Sequence, residues 1–102
     1  MAKLISIYWR DIPAQVVVRC GRSRVSRELP SRFATAIDVC AMRNGLKDSD
    51  AYLAEWRRGE PVPCPDDDMD QVLDEAIASL DAAFTAERLG EIIAHGGFAD
   101  AV

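Results

Sequence analysis

A chain of 102 residues with 49% hydrophobic and 28% charged side chains has the make-up of one ordinary globular domain, able to bury roughly two-thirds of its unfolded surface. No run approaches the ~20 apolar residues of a membrane span. Arg10 and Asp11 also interrupt any apolar leader after Lys3, so a cytoplasmic protein with no membrane partner is expected.

The net charge of −5 hides a division. Residues 1–60 carry 11 basic and 7 acidic side chains, a net of +4, whereas residues 61–102 carry 1 basic and 10 acidic, a net of −9. Ten of the twelve basic residues are arginines, suited to forked contacts with carboxylates or phosphates. The two halves can neutralise each other internally or present opposite faces to different partners. Cys20, Cys40 and Cys64 are odd in number and far apart, which suits reduced thiols rather than a disulfide framework.

Residues 3–9 alternate so that Ile5, Ile7 and Trp9 share one face and Leu4, Ser6 and Tyr8 the other, which predicts a strand. Residues 15–20 read the same way. The stretch Asp11-Ile12-Pro13-Ala14 between them is too short for a crossover, so the strands should pair antiparallel, with Ile5, Ile7, Val16 and Val18 turned toward the helical residues Phe33 and Ile37. Arg10, Asp11 and Gln15 would gather at this turn, the first two projecting from its tip. Gly21 makes a second turn, and Ser23 to Glu28 add a short third strand whose arginines keep an edge soluble.

Pro30 suits the first position of a helix carrying Phe33, Ala36, Ile37, Cys40 and Ala41 inward and stopped at Asn44-Gly45. Asp48 or Ser49 would cap a second helix with Tyr52, Leu53 and Trp56 on one face, ending at Arg57-Arg58-Gly59. The alternating prolines of residues 60–66 predict an extended linker. Asp66, Asp67 and Asp68 then stand at a helix N-terminus, followed by an apolar stripe from Met69 to Phe84; Thr85 starts a last helix stopped by Gly96-Gly97, with a frayed tail from Phe98. The expected fold is α+β in one domain, 1–102. A small antiparallel sheet of two or three strands (a β-meander over 3–28) is covered by three to four helices: two over 30–58, and acidic ones over 67–95.

No catalytic constellation is visible. Cys20, Cys40, Cys64 and His95 contain no short ligand pair of the kind that nucleates zinc, and the aspartate run lacks the glycine and closing glutamate of a calcium loop, so neither metal nor cofactor is expected. His95, before a double glycine, is explained as a helix-terminal residue. Two sets of residues remain. Trp9, Tyr52 and Trp56 have the bland reading of core aromatics, yet Trp9-Arg10 and Trp56-Arg57-Arg58 each place an aromatic beside a guanidinium, the residue types that dominate interface hot spots. With Asp11, Gln15 and Tyr52 they form the candidate partner-binding patch. Arg19, Arg22 and Arg24 form a candidate anion site. Nucleic acid is disfavoured as its ligand by the acidic second half and the 7% aromatic content.

The strings Tyr8-Trp9-Arg10-Asp11-Ile12-Pro13-Ala14-Gln15-Val16, Leu29-Pro30-Ser31-Arg32-Phe33 with Ala36-Ile37-Asp38 and Ala41-Met42, and Asp50-Ala51-Tyr52-Leu53-Ala54-Glu55-Trp56-Arg57-Arg58 resemble the small bacterial "virulence factor" domain family. This family also occurs as one segment of a larger conserved virulence factor with helical repeats. The resemblance covers residues 3 to about 60 and leaves the acidic helices outside. It supplies no reaction, and implies an accessory subunit of a folate- or corrinoid-dependent methyl-transfer system in one-carbon metabolism. Two functions of different class follow: a non-catalytic interaction protein, or a domain binding or acting on a small anion such as a folate tail or phosphate through its arginines. The sequence leaves the oligomeric state open.

Overall fold

The computed structural model describes residues 2–46, 50–65 and 68–98. The fold is α+β: strands β1 (Ala2–Trp9), β2 (Ile12–Cys20) and β3 (Ser23–Glu28) form the expected meander, followed by helices α1 (Ser31–Arg43) and α2 (Asp50–Ala54), strands β4 (Trp56–Arg58) and β5 (Val62–Cys64), and helices α3 (Met69–Ala83) and α4 (Ala86–Ala94). All pairings are antiparallel. The sheet has five strands in the order β3-β2-β1-β4, with β5 on the same edge of β1 as β4.

The strand count corrects the sequence reading, as do the two extra strands themselves. Trp56-Arg57-Arg58 does not end a helix: α2 stops at Ala54, and the three residues pair with Trp9, Tyr8 and Ile7. The proline-rich segment is no free linker either, since Val62, Pro63 and Cys64 pair with Leu4, Lys3 and Ala2. Gly59 N–H donates to the Ser6 carbonyl at 2.7 Å, so β4 and β5 behave as one edge strand broken by a bulge at Glu60-Pro61. An edge is where a sheet tolerates proline, because a missing amide there costs no ladder bond.

The ends of α1, α3 and α4 follow the sequence closely. Pro30 sits one residue outside α1 and its carbonyl accepts from Phe33 N–H; Asn44 and Gly45 (φ +67°) end that helix. Asp68 caps α3 by accepting from Gln71 N–H, and Thr85 caps α4 through Arg88 N–H, both at 3.1 Å. His95 is the C-cap of α4, and Gly96 and Gly97 follow at positive φ. The proposed caps Asp48 and Ser49, together with Asp66 and Asp67, lie outside the described residues.

Two buried clusters hold the layers together. In the first, Trp9 and Ile12 at the hairpin tip meet Phe33, Ile37 and Cys40 of α1 and Leu89 and Ile92 of α4. In the second, Ala2, Val16 and Val18 meet Leu73 of α3. Ile77 and Leu80 of α3 pack against both. Such side chains contribute roughly 1.5–3 kcal/mol each on burial.

This arrangement corrects the face expected for Ile5 and Ile7. Leu4 pairs with Val18 and Ser6 with Val16, so these positions face the helices, whereas Ile5 opposes Val17 and Ile7 opposes Gln15 on the other side of the sheet. Between Ile7 and Tyr8 the register shifts at a β-bulge, with Tyr8 opposite Pro13 and Trp9 opposite Ile12. The extra residue is Ala14 of β2; beyond it Trp9 joins the cluster under the helices, while Ile5, though only 5% exposed, and Ile7 belong to neither cluster.

Candidate binding surfaces

The eight residues proposed for the partner patch divide among three places. Trp9, Arg10, Asp11 and Arg57 form a clamp at the hairpin tip. The turn is only Arg10-Asp11, shorter than expected, and among the described residues Arg10 alone adopts a positive φ (+53°) without being glycine. Its side chain does not project. Arg10 Nε pairs with Glu55 at 3.1 Å, one terminal nitrogen donates to the Gly96 carbonyl, and the guanidinium lies over the Trp9 and Phe98 rings at 5.2 and 4.9 Å. Its backbone N–H donates to the Glu55 carbonyl, and Asp11 N–H to that of Gly97.

These bonds tie the hairpin to α2 and to the carbonyl end of α4, where a cation is favoured. Trp9 is fully buried, its indole N–H donating to the Tyr52 carbonyl at 3.0 Å. Arg57 completes the clamp, donating to the Arg10 carbonyl and to Asp11, both at 2.9 Å, and stacking over Tyr8. The sequence reading gave Glu55 no role and Gly97 only that of a helix stop; they stand 45 and 87 residues from Arg10, and only the fold brings them there. Beside the clamp, burial pushes the Cys40 thiol above its ordinary range, with Arg10 and Arg43 pulling the other way.

Gln15, Tyr52 and Trp56 line a groove of about 380 Å³ between the end of the sheet and α1. Leu29 and Ile37 lie among its lining, together with Glu28 and Asp38. The Tyr52 and Trp56 rings meet edge to face, centroids 6.2 Å apart, and Trp56 is 37% exposed. The carboxylates escaped the sequence reading, though two signals were available. Glu28 is the residue opposite Gln15 in the β2–β3 ladder, and Asp38 continues the outward stripe Ser31, Ala34 at helical spacing.

Arg58 belongs elsewhere. With Arg19, Arg24, Ile5, Ile7 and Val17 it surrounds a shallow hollow of about 20 Å³ on the helix-free side of the sheet. Arg22 is exposed in the Gly21-Arg22 turn and does not reach this hollow. Thus two of the three arginines proposed for anion binding come together, joined by one assigned to the partner patch.

Among the described residues no group of three or more His, Cys, Asp or Glu side chains is placed to hold a metal ion, and no helix is long and apolar enough to cross a membrane. No curated protein and no solved structure matches the chain. A family model does match, over residues 7–93, and its span corrects the expectation that the acidic helices fall outside the resemblance, since α3 and all but the last residue of α4 lie within it. The chain belongs to the virulence factor family.

Proposed function

We propose that this protein is a non-catalytic binding module that seats a partner protein in the groove lined by Gln15, Tyr52 and Trp56. The observation that carries the reading is the groove itself: an apolar floor, two aromatic walls set at right angles and a few polar groups at the rim, which is how binding sites are generally built. Trp56 is the anchor: large, amphipathic, set edge to face against Tyr52 and still 37% exposed. The clamp of Arg10, Asp11 and Arg57 then supports the site, fixing α2 and β4 against the hairpin. Accessory service to a folate- or corrinoid-dependent methyl-transfer enzyme is the narrower form of this reading, supported by the family resemblance alone.

The test is co-purification from native lysate, followed by affinity measurement with the purified partner. Trp56→Ala is expected to leave folding intact and weaken binding by at least ~2 kcal/mol, the hot-spot scale. A partner that binds Trp56→Ala as tightly as the wild type would remove the groove from consideration. A methyltransferase component recovered in stoichiometric amount supports the narrower form.

A further inference from the structure

The arginines that face α3 are paired with its carboxylates, and those on the helix-free side of the sheet are not. Arg27, on β3 opposite Val16, reaches Asp70 (3.1 Å) and Asp74 of α3. Arg32 pairs with Asp81 of the same helix at 2.6 Å. On the helix-free side, Lys3, Arg19 and Arg24 are cross-strand neighbours in one row over β1, β2 and β3, and Arg58 opposes Ile7, four residues further along β1 than Lys3. Among the described residues these four cations form no ion pair. The row of Ile7 continues through Gln15 to Glu28, the one carboxylate the ladders set at that end.

Between the cations lie Ile5 and Val17, only 5% and 2% exposed although no helix covers them. Arg19, Arg24 and Arg58 line the same hollow as Ile5, Ile7 and Val17, and long arginine side chains cover apolar surface with their stems while keeping the charged head in water. Like charges directly opposite on a sheet are destabilising.

We propose that this face docks an acidic amphipathic helix of a partner protein. The precedent is in the chain: on the opposite face, α3 lays Leu73 against Val16 and Val18 while its Asp70 and Asp74 take Arg27. The helix-free face carries unpaired cations around Ile5, Ile7 and Val17 with no helix over them, and a docked helix would take the place of the arginine side chains that now close over Ile5 and Val17. A small anion would find no enclosure in a hollow of about 20 Å³. Nucleic acid would find no aromatic ring among the lining residues to stack on, and a chain of net charge −5 to repel it. The proposal does not depend on the groove, which opens beside α1.

The experiment is a methyl-resolved NMR titration of the full chain with a synthetic peptide of the α3 sequence, Asp68 to Phe84, as probe. Saturable shifts are expected at the methyls of Ile5, Ile7 and Val17, not at Val16, Val18 or Leu73. Arg24→Glu keeps the strand pairing, because it sets a carboxylate opposite Arg19, and is expected to weaken binding about tenfold or more, the scale of a lost charge pair at a contact. The same peptide with its Asp and Glu residues replaced by Lys should not bind. No shifts with the acidic peptide, shifts confined to the α3 side of the sheet, or undiminished binding to Arg24→Glu would each overturn the proposal. Tighter binding of a uridine oligonucleotide to these arginines would overturn it in favour of nucleic acid.

Discussion

The two faces of one five-stranded sheet solve the same problem differently. Both present β-branched residues interleaved with arginine, yet only one is covered. Under α3, Arg27 has carboxylates to meet and the valines are sealed by Leu73. On the other side the apolar residues are sealed by the arginines themselves, and the charges stay open to solvent. Internal neutralisation of a basic half by an acidic half is therefore real, but partial. It reaches the arginines that point toward α3 and stops at the plane of the sheet. The covered face holds α3 to the sheet; the uncovered one has charge to spare.

The largest expected effect tests that division directly. Val16→Asp puts an unpaired charge into a fully buried cluster and should cost more than about 4 kcal/mol, much of a stability that for such a domain is ~5–15 kcal/mol. Ile7→Asp places the same carboxylate opposite Arg58 on the other face, and should stay soluble and melt cooperatively within about 1 kcal/mol of wild type. Thermal denaturation of both proteins decides it. Equal loss would show that the uncovered face is as much a part of the core as the other.

How much of this was legible in the sequence depends on the range over which each feature is determined. The meander, α1, α3 and α4 and most of their caps could be read because each rests on local signals: alternation, helical spacing, a proline or aspartate before a helix, glycine after one. Strands β4 and β5 could not, because Trp56-Arg57-Arg58 and Val62-Pro63-Cys64 are extended by the free edge of β1 rather than by any pattern of their own. The face of Ile5 and Ile7 was misread because alternation separates two apolar faces of a strand without saying which one the helices cover. Of the aromatics in the candidate patch, Tyr52 and Trp56 share a groove, whereas Trp9 is buried in the core. Arg10 was expected at the surface because its partners Glu55 and Gly96 are remote in sequence.

A second comparison is between arginines, one bound on all sides and others bound to nothing. Arg10→Ala removes a partly buried ion pair, a bond to the end of α4 and two ring contacts, and should cost about 2–3 kcal/mol. Gly97→Ala should cost a similar amount. At φ +95° a side chain is strained by ~1–2 kcal/mol, and the added Cβ would stand 2.9 Å from Arg10 Cδ and 3.2 Å from Cys40 Sγ. Because Arg10 is the obstacle, Gly97→Ala should be cheaper in an Arg10→Ala background, a coupling that chemical denaturation of the double-mutant cycle would measure. Strict additivity would mean that the clamp is not one unit.

The smallest effect is the most pointed, because its sign is opposite. Arg24→Met keeps an unbranched stem over Val17 and deletes only the charge that stands directly opposite Arg19. If the uncovered cations do nothing for the fold, removing one should raise stability by about 0.2–1 kcal/mol at low salt, the range of a cross-strand charge term. That gain should vanish in ~1 M salt, where the screening length falls to about 3 Å. An apolar head left on the sheet would also add a gain, but one that persists in salt, so the salt dependence separates relief of repulsion from better packing. A loss of stability at every salt concentration would show that Arg24 braces the sheet as Arg10 braces the hairpin. The face would then need no partner to account for its charge, whereas a cation that weakens the fold on which it stands is what a surface reserved for an acidic partner should carry.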